Sequence, residues 1–161
     1  MRPIYEENEE TLEIEEQISS HISPHLHKSM EFVSVTEGTL ELGIGTELYH
    51  MEKGDFAVVF PEMIHHYQVF DSGTCKAIYA LASPLLGSSY TRELQQLCPI
   101  NPVIQSKDVH PDVNYALRSM LVYPAEAQEH VLHQSFIQII LARTIPLFQL
   151  TEKSNVGSDD L

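Results

Sequence analysis

The sequence predicts a mainly β domain followed by helices, on three observations. Residues 21–83 carry short apolar runs, each closed by turn residues, with no helical pattern between them. Beyond Pro84 the apolar spacing changes to every third or fourth residue. A length of 161 residues with 43% hydrophobic content allows one domain with its own core and no disulfide staples.

Residues 1–20 form an acidic amino-terminal arm, with seven Glu between Glu6 and Glu16. Such a run is a solvated face or an arm, and Leu12, Ile14 and Ile18 suit it to dock as an edge strand. The first core strand is Phe32 to Thr36, closed by Glu37-Gly38. Leu40, Leu42 and Ile44 then alternate with Glu41 and Gly43, the period of a half-buried strand. A turn over Gly43 to Thr46 leads to Leu48–Met51, and Lys53-Gly54-Asp55 turns the chain into Phe56–Phe60. After Pro61, Tyr67–Phe70 and Lys76–Leu81 supply two more strands. Many short strands at this spacing predict a sandwich or small barrel over residues 21–83.

Residues 84–150 read as helical. Leu85 to Leu97 fits a helix with Leu85, Leu86, Leu94 and Leu97 on its apolar side. Pro111 suits the first position of a second helix through Tyr115, Leu117, Met120 and Leu121, ended by Pro124. A third helix runs from about Ala125 toward Leu150, and Pro146 kinks it or ends its regular part. Its stripe of Leu132, Phe136, Ile139, Ile140, Arg143 and Leu147 is flanked by Ile137, Leu141 and Ile145. That face is wide enough to cover the barrel and a partner helix together, so the stripe is expected to form a two-fold homodimer. Arg143 within it requires a carboxylate or carbonyl, in its own chain or across the dimer. Residues 151–161 read as a polar linker, and Ser158-Asp159-Asp160-Leu161 as the N-cap of a further helix or as a frayed terminus.

Nine Lys+Arg against 23 Asp+Glu give a net charge of −14. That balance excludes direct binding of nucleic acid or an anionic membrane by this chain. The start lacks the apolar region of a signal peptide, and no apolar run reaches membrane-spanning length. Cys75 and Cys98 have no ligand spacing and read as plain thiols. A cytoplasmic location is expected.

The chemistry concentrates in His25-Leu26-His27-Lys28-Ser29-Met30-Glu31. On an extended segment His25 and His27 share a face, and Glu31, Val33 and Val35 keep the same parity. Two imidazoles and a carboxylate turned toward one cavity suit Fe, Mn, Ni or Zn. A fourth ligand is available from Pro61-Glu62-Met63-Ile64-His65-His66. His65 is favoured by strand parity, which turns Tyr67 and Val69 inward with it; His66 is the alternative.

These residues carry a resemblance. The string His25-x-His27-x3-Glu31-x6-Gly38 resembles the first motif of the cupin barrel, a double-stranded β-helix or jelly roll. Gly54-Asp55 through Pro61 to His65-His66 is similar to its second motif, with Glu62 or Met63 where Gly is usual. The barrel, then Ser83-Pro84-Leu85-Leu86, then helices ending in a long apolar one, resemble the amino-terminal half of AraC-family transcription regulators. The resemblance covers nearly all of residues 20–150. It implies a cupin barrel that binds a small-molecule effector, a helical dimerisation segment, and a separate DNA-binding half beyond residues 151–161. It also implies that an amino-terminal arm can respond to effector.

The expected pocket residues are His25, His27, Glu31, Tyr49, His65, Tyr67 and Tyr79. The four putting N or O donors together, His25, His27, Glu31 and His65, either hold a divalent transition metal, brace the barrel wall, or hold the effector directly. No catalytic residues are assigned. The alternative to a sensor domain is a stand-alone metal-dependent cupin enzyme of the dioxygenase or isomerase type.

Overall fold

The computed structural model describes residues 4–6, 12–122 and 130–156, the first three by their backbone only. The sequence expectations for Pro124, for the start of the last helix at 125–129, for Glu7 to Glu10 and for 157–161 lie outside these residues. Strands β1 (Ile4–Glu6), β2 (Leu12–Ile18), β3 (Ile22–His27), β4 (Met30–Glu37), β5 (Thr39–Ile44), β6 (Glu47–Glu52), β7 (Phe56–Val59), β8 (His65–Gln68) and β9 (Lys76–Ala82) come first. A 3₁₀ turn (Pro84–Tyr90), α1 (Thr91–Gln96), β10 (Leu97–Pro99), β11 (Val103–Ile104), α2 (Pro111–Val122), α3 (His130–Thr144) and β12 (Leu150–Glu152) follow.

Two five-stranded sheets make the barrel, in the orders β1-β3-β8-β5-β6 and β11-β7-β4-β9-β2. Their burial differs for a reason visible in the residues. The runs Met30–Val35, Phe56–Val59 and Ala77–Ala80 are apolar with few interruptions, and each is buried on both faces. The helical segment covers the outer face of their sheet, where Met30, Leu94 and Leu141 close around Gly87. In the other sheet β5 and β8 alternate buried with half-buried positions, and β6 is mostly exposed. Leu40, Leu42, Met51 and Tyr67 face inward from that sheet and join one continuous core with Val33 and Val35.

The hairpin between β4 and β5 depends on Gly38, whose φ of +70° is left-handed. A Cβ there would also lie 2.7 Å from the Cys75 Sγ and 2.8 Å from the Thr74 carbonyl. Strand β2 pairs with β9 from Leu12↔Ala82 to Ile18↔Lys76, so residues 12–18 of the acidic arm are the sheet's edge strand. Leu12 and Ile14 pack on the core, whereas Ile18 is exposed.

Three expectations need correction. The strand read at Tyr67–Phe70 begins earlier, at His65, and leaves Phe70 exposed. The helix read from Leu85 to Leu97 is broken: Ser83 Oγ caps a 3₁₀ turn by accepting the Leu85 N–H, only residues 91–96 are α-helical, and Leu97 enters β10. Leu85 is exposed as a result. By contrast Pro146 acts as read: regular α3 ends at Thr144, short of Leu150, and the proline sits in the 3₁₀ turn that follows, Ile145–Leu147. Thr151 to Asn155, within the segment read as a polar linker, are built into the domain. There Leu150–Glu152 pair with Leu97–Pro99, and Lys153 donates to the Pro61 and Leu94 carbonyls.

The apolar stripe of α3 splits by burial. Phe136 and Ile140 are buried with Ile137 and Leu141 inside the chain, whereas Leu132 and Ile139 are each 37% exposed and Leu147 is 56% exposed. Arg143 finds its carboxylate within the chain, donating from Nε to Asp112 at 3.0 Å. Both cysteines are buried and free.

Candidate metal centre

The barrel register brings the four donors together. Strands β3 and β8 pair with His25 directly opposite His65, and the ring centroids of the two lie 4.1 Å apart. His27 follows on the same face of β3. The chain then bends at Lys28-Ser29 and crosses to the second sheet, so Glu31 reaches the same interior from β4 rather than by continued parity along one strand. His25, His27, Glu31 and His65 are all buried, and one donor atom of each lies within 4.8 Å of the others.

The protons on the rings follow from their partners. His25 Nδ1 lies 2.8 Å from the Ser23 carbonyl, His27 Nδ1 2.9 Å from that of Ser29, and His65 Nδ1 2.8 Å from that of Met63. A carbonyl only accepts, so each Nδ1 carries the proton and donates it. In a neutral ring Nε2 then holds a lone pair. Yet His27 Nε2 and His65 Nε2 stand 3.1 and 3.3 Å from the same oxygen, Oε2 of Glu31. Two lone pairs facing a carboxylate oxygen need something positive between them. Two buried imidazolium ions around one carboxylate would be one answer, at a desolvation cost of several kcal/mol per ion. A divalent cation shared by neutral rings and the carboxylate is the other, and it matches the donor set.

With the rings protonated and no ion, burial works to raise the Glu31 pKa, but hydrogen bonds from His27 and His65, the charge of His65 and a bond from Tyr67 outweigh it and hold the carboxyl well below the usual range. The Tyr67 hydroxyl donates to Glu31 Oε1. Burial first, and then the Glu31 charge, push that phenol well above its ordinary value, so it stays a donor. Tyr79 packs edge-on against Tyr67 with centroids 5.4 Å apart, and its hydroxyl meets Ser19 Oγ at 2.9 Å.

Of the expected pocket residues, the structure therefore joins His25, His27, Glu31, His65 and Tyr67, with Tyr79 one ring further out. It does not bring Tyr49 to them. Tyr49 shares a face with Leu42 and Tyr67 but stands on the edge strand β6, and its hydroxyl donates to the Ile100 carbonyl at 3.0 Å. His66, the alternative to His65, points the other way and lies over Gly43, where a Cβ would meet its ring. The turn that carries His65 is kept despite the missing glycine: Glu62 itself takes φ +61°, and its N–H bonds the His27 carbonyl at 2.8 Å. The Ser23, Ser29 and Met63 carbonyls, Ser19 and Lys153 were not legible in the sequence. The first three act through main-chain atoms that any residue supplies, and the last two act across contacts far apart in the chain.

The fold and site define a cupin-type double-stranded β-helix with helices after it, carrying a three-histidine, one-glutamate group. Residues 11–80 match the Cupin domain family. Among solved structures, the chain is similar to ToxT from Vibrio cholerae over 86% of this chain and 58% of that one, at 8% identity and a TM-score of 0.58. A mutant of Bacillus subtilis oxalate decarboxylase OxdC matches 47% of this chain and 22% of its own, at 16% identity and a TM-score of 0.41. An RmlC-like cupin family protein from Methanocaldococcus jannaschii matches 47% of this chain and 73% of its own, at 15% identity and a TM-score of 0.43. No curated protein sequence matches at a significant level. Among the described residues, no helix is long and apolar enough to cross a membrane.

Proposed function

We propose that this chain is the sensing and dimerisation part of an AraC-like transcription regulator, and that its barrel holds a divalent transition metal at His25, His27, Glu31 and His65. The observation that carries the regulator reading is the extent of the likeness to ToxT, an AraC-family regulator. That likeness spans 86% of the chain and so takes in the helical segment as well as the barrel. On this reading a small-molecule effector enters the barrel. The exposed part of the α3 stripe, Leu132, Ile139 and Leu147, meets a second copy, and DNA is bound by a separate half of the regulator. The acidic charge of −14 suits such a division.

The ion would supply a Lewis acid able to polarise an oxygen or nitrogen ligand. The chain's own residues supply the rest. The three rings are oriented by backbone carbonyls, and the single carboxylate balances the charge. An effector shifts the dimer only by its differential affinity for two arrangements of it.

A second reading, a stand-alone metal-dependent cupin enzyme of the dioxygenase or isomerase type, is favoured by the same four-donor group. The gene separates the two. A reading frame that runs on past the Leu161 codon into two helix-turn-helix patterns supports the regulator. A stop codon there overturns it in favour of a stand-alone cupin, enzymatic or merely binding.

A further inference from the structure

The carboxylate in the cluster is held by more than the cluster. Glu31 divides its two oxygens between opposite neighbours: Oε2 faces His27 and His65, whereas Oε1 accepts the Tyr67 hydroxyl. Tyr67 cannot easily turn away. It is 1% exposed on β8, two residues beyond His65 and opposite Leu42. Tyr79 packs edge-on against its ring and is itself tied to Ser19, just past the end of edge strand β2. A train of contacts thus runs from Ser19 through Tyr79 and Tyr67 to one oxygen of Glu31.

From this geometry we infer that Tyr67 is a positioning residue that restricts Glu31 to one metal-binding oxygen. With Oε1 engaged by a buried hydroxyl, Glu31 offers Oε2 alone, and the chain presents four donor atoms, one from each of its four candidate ligands. A carboxylate free to bind through both oxygens would fill one position more. Tyr67 therefore keeps a coordination position open for a further small ligand. The inference rests on the metal reading of the cluster.

Cobalt(II) is the probe, because its visible absorption reports the number and kind of its ligands. Wild-type protein, Tyr67→Phe and Tyr79→Phe are stripped of metal and titrated with Co²⁺. Phe keeps the ring and its packing, and Tyr79→Phe removes a buried hydroxyl that does not touch Glu31. Tyr67→Phe is expected to weaken Co²⁺ binding by about tenfold or more, as loss of an outer-shell hydrogen bond does, and to change the shape and intensity of the absorption. Tyr79→Phe, which keeps the ring packed on Tyr67, is expected to change both much less than Tyr67→Phe does.

Equal affinity and an equal spectrum in Tyr67→Phe overturn the inference, as does an equal change in both variants, which would report packing alone. Should Tyr67→Phe fail to fold, infrared difference spectra of the wild type with and without Co²⁺ decide instead. A wide splitting of the carboxylate bands signifies one-oxygen binding, and a narrow splitting overturns the inference. Failure of the wild type to take up Co²⁺ overturns the metal reading and this inference together; uptake without the Tyr67 effect overturns this inference alone.

Discussion

Lys153 donates from its ammonium to the Pro61 carbonyl at 2.7 Å, joining the end of the described chain to the turn that carries His65. Its second bond goes to the Leu94 carbonyl. Phe60 and Phe148 add an edge-on ring contact with centroids 6.3 Å apart. Burial lowers the Lys153 pKa, and the Glu62 charge partly restores it. Lys153→Met keeps most of the side-chain volume but strands two carbonyls. It should cost about 2 kcal/mol in chemical denaturation. A loss below about 0.5 kcal/mol would show that the ammonium is not structural.

Glu62 occupies a left-handed backbone position without being glycine. Glu62→Gly removes the steric strain at some entropic cost and should change stability by less than about 1 kcal/mol. Glu62→Val places a β-branched residue at φ +61° and should lose about 2 kcal/mol. Thermal melts of the pair test the order; a more stable Val variant would contradict the backbone geometry.

His65 and His66 are neighbours with opposite fates. His65→Ala should reduce affinity for Zn²⁺ or Co²⁺ by more than the roughly 10–100-fold that outer-shell changes cost. His66→Ala should leave it within a few-fold. For the wild type, adding metal to chelator-treated protein should raise the melting temperature in a concentration-dependent way. Equal metal binding by both variants would remove His65 from the centre.

His50 gives a pH dependence of definite sign. Its hydrogen bond to Glu41 raises its pKa, slight burial opposes this, and the Glu41 charge adds to the rise. A folded pKa above the unfolded value stabilises the fold below the unfolded pKa, about 6.5, and that stability is lost as pH rises through the folded pKa. His50→Gln should therefore be less stable than wild type near pH 5.5–6, by roughly 0.5 kcal/mol for such an exposed pair. The difference should vanish near pH 9, where His50 is neutral in both states. A deficit that grows with pH would reverse the assignment.

The proposed dimer face is open to a direct test. Ile139 is partly exposed on α3, and Arg143 one turn on is engaged by Asp112. Ile139→Glu places a charge in an apolar contact and should convert a dimer to a monomer in light scattering. A dimer that survives the change would use another face.

The barrel and most of its site were legible because short-range rules governed them. Alternation placed Leu40, Leu42 and Ile44, and the spacing of His25, His27 and Glu31 survived even though Lys28-Ser29 carries the chain to the other sheet. Parity chose His65 over His66 from one strand alone. Leu85 misled because Ser83 and Pro84 start a 3₁₀ turn, a local choice that the later leucines do not reveal. The pairing of Leu97–Pro99 with Leu150–Glu152 left no trace, because a three-residue ladder between distant segments has no period to detect. Tyr49 was misplaced because its face was right and its strand was an edge.

The three imidazole N–H groups given to the Ser23, Ser29 and Met63 carbonyls make the rings extensions of the main chain. Such a ring can swing only by breaking that bond or by moving the main chain with it. Anything that enters the barrel meets donors whose aim was set when the chain folded. Conversely, any re-aiming of those donors that keeps the bonds is a displacement of backbone at residues 23, 29 and 63. Occupancy of the cup would thus be written into the path of the polypeptide and not merely into side-chain rotamers.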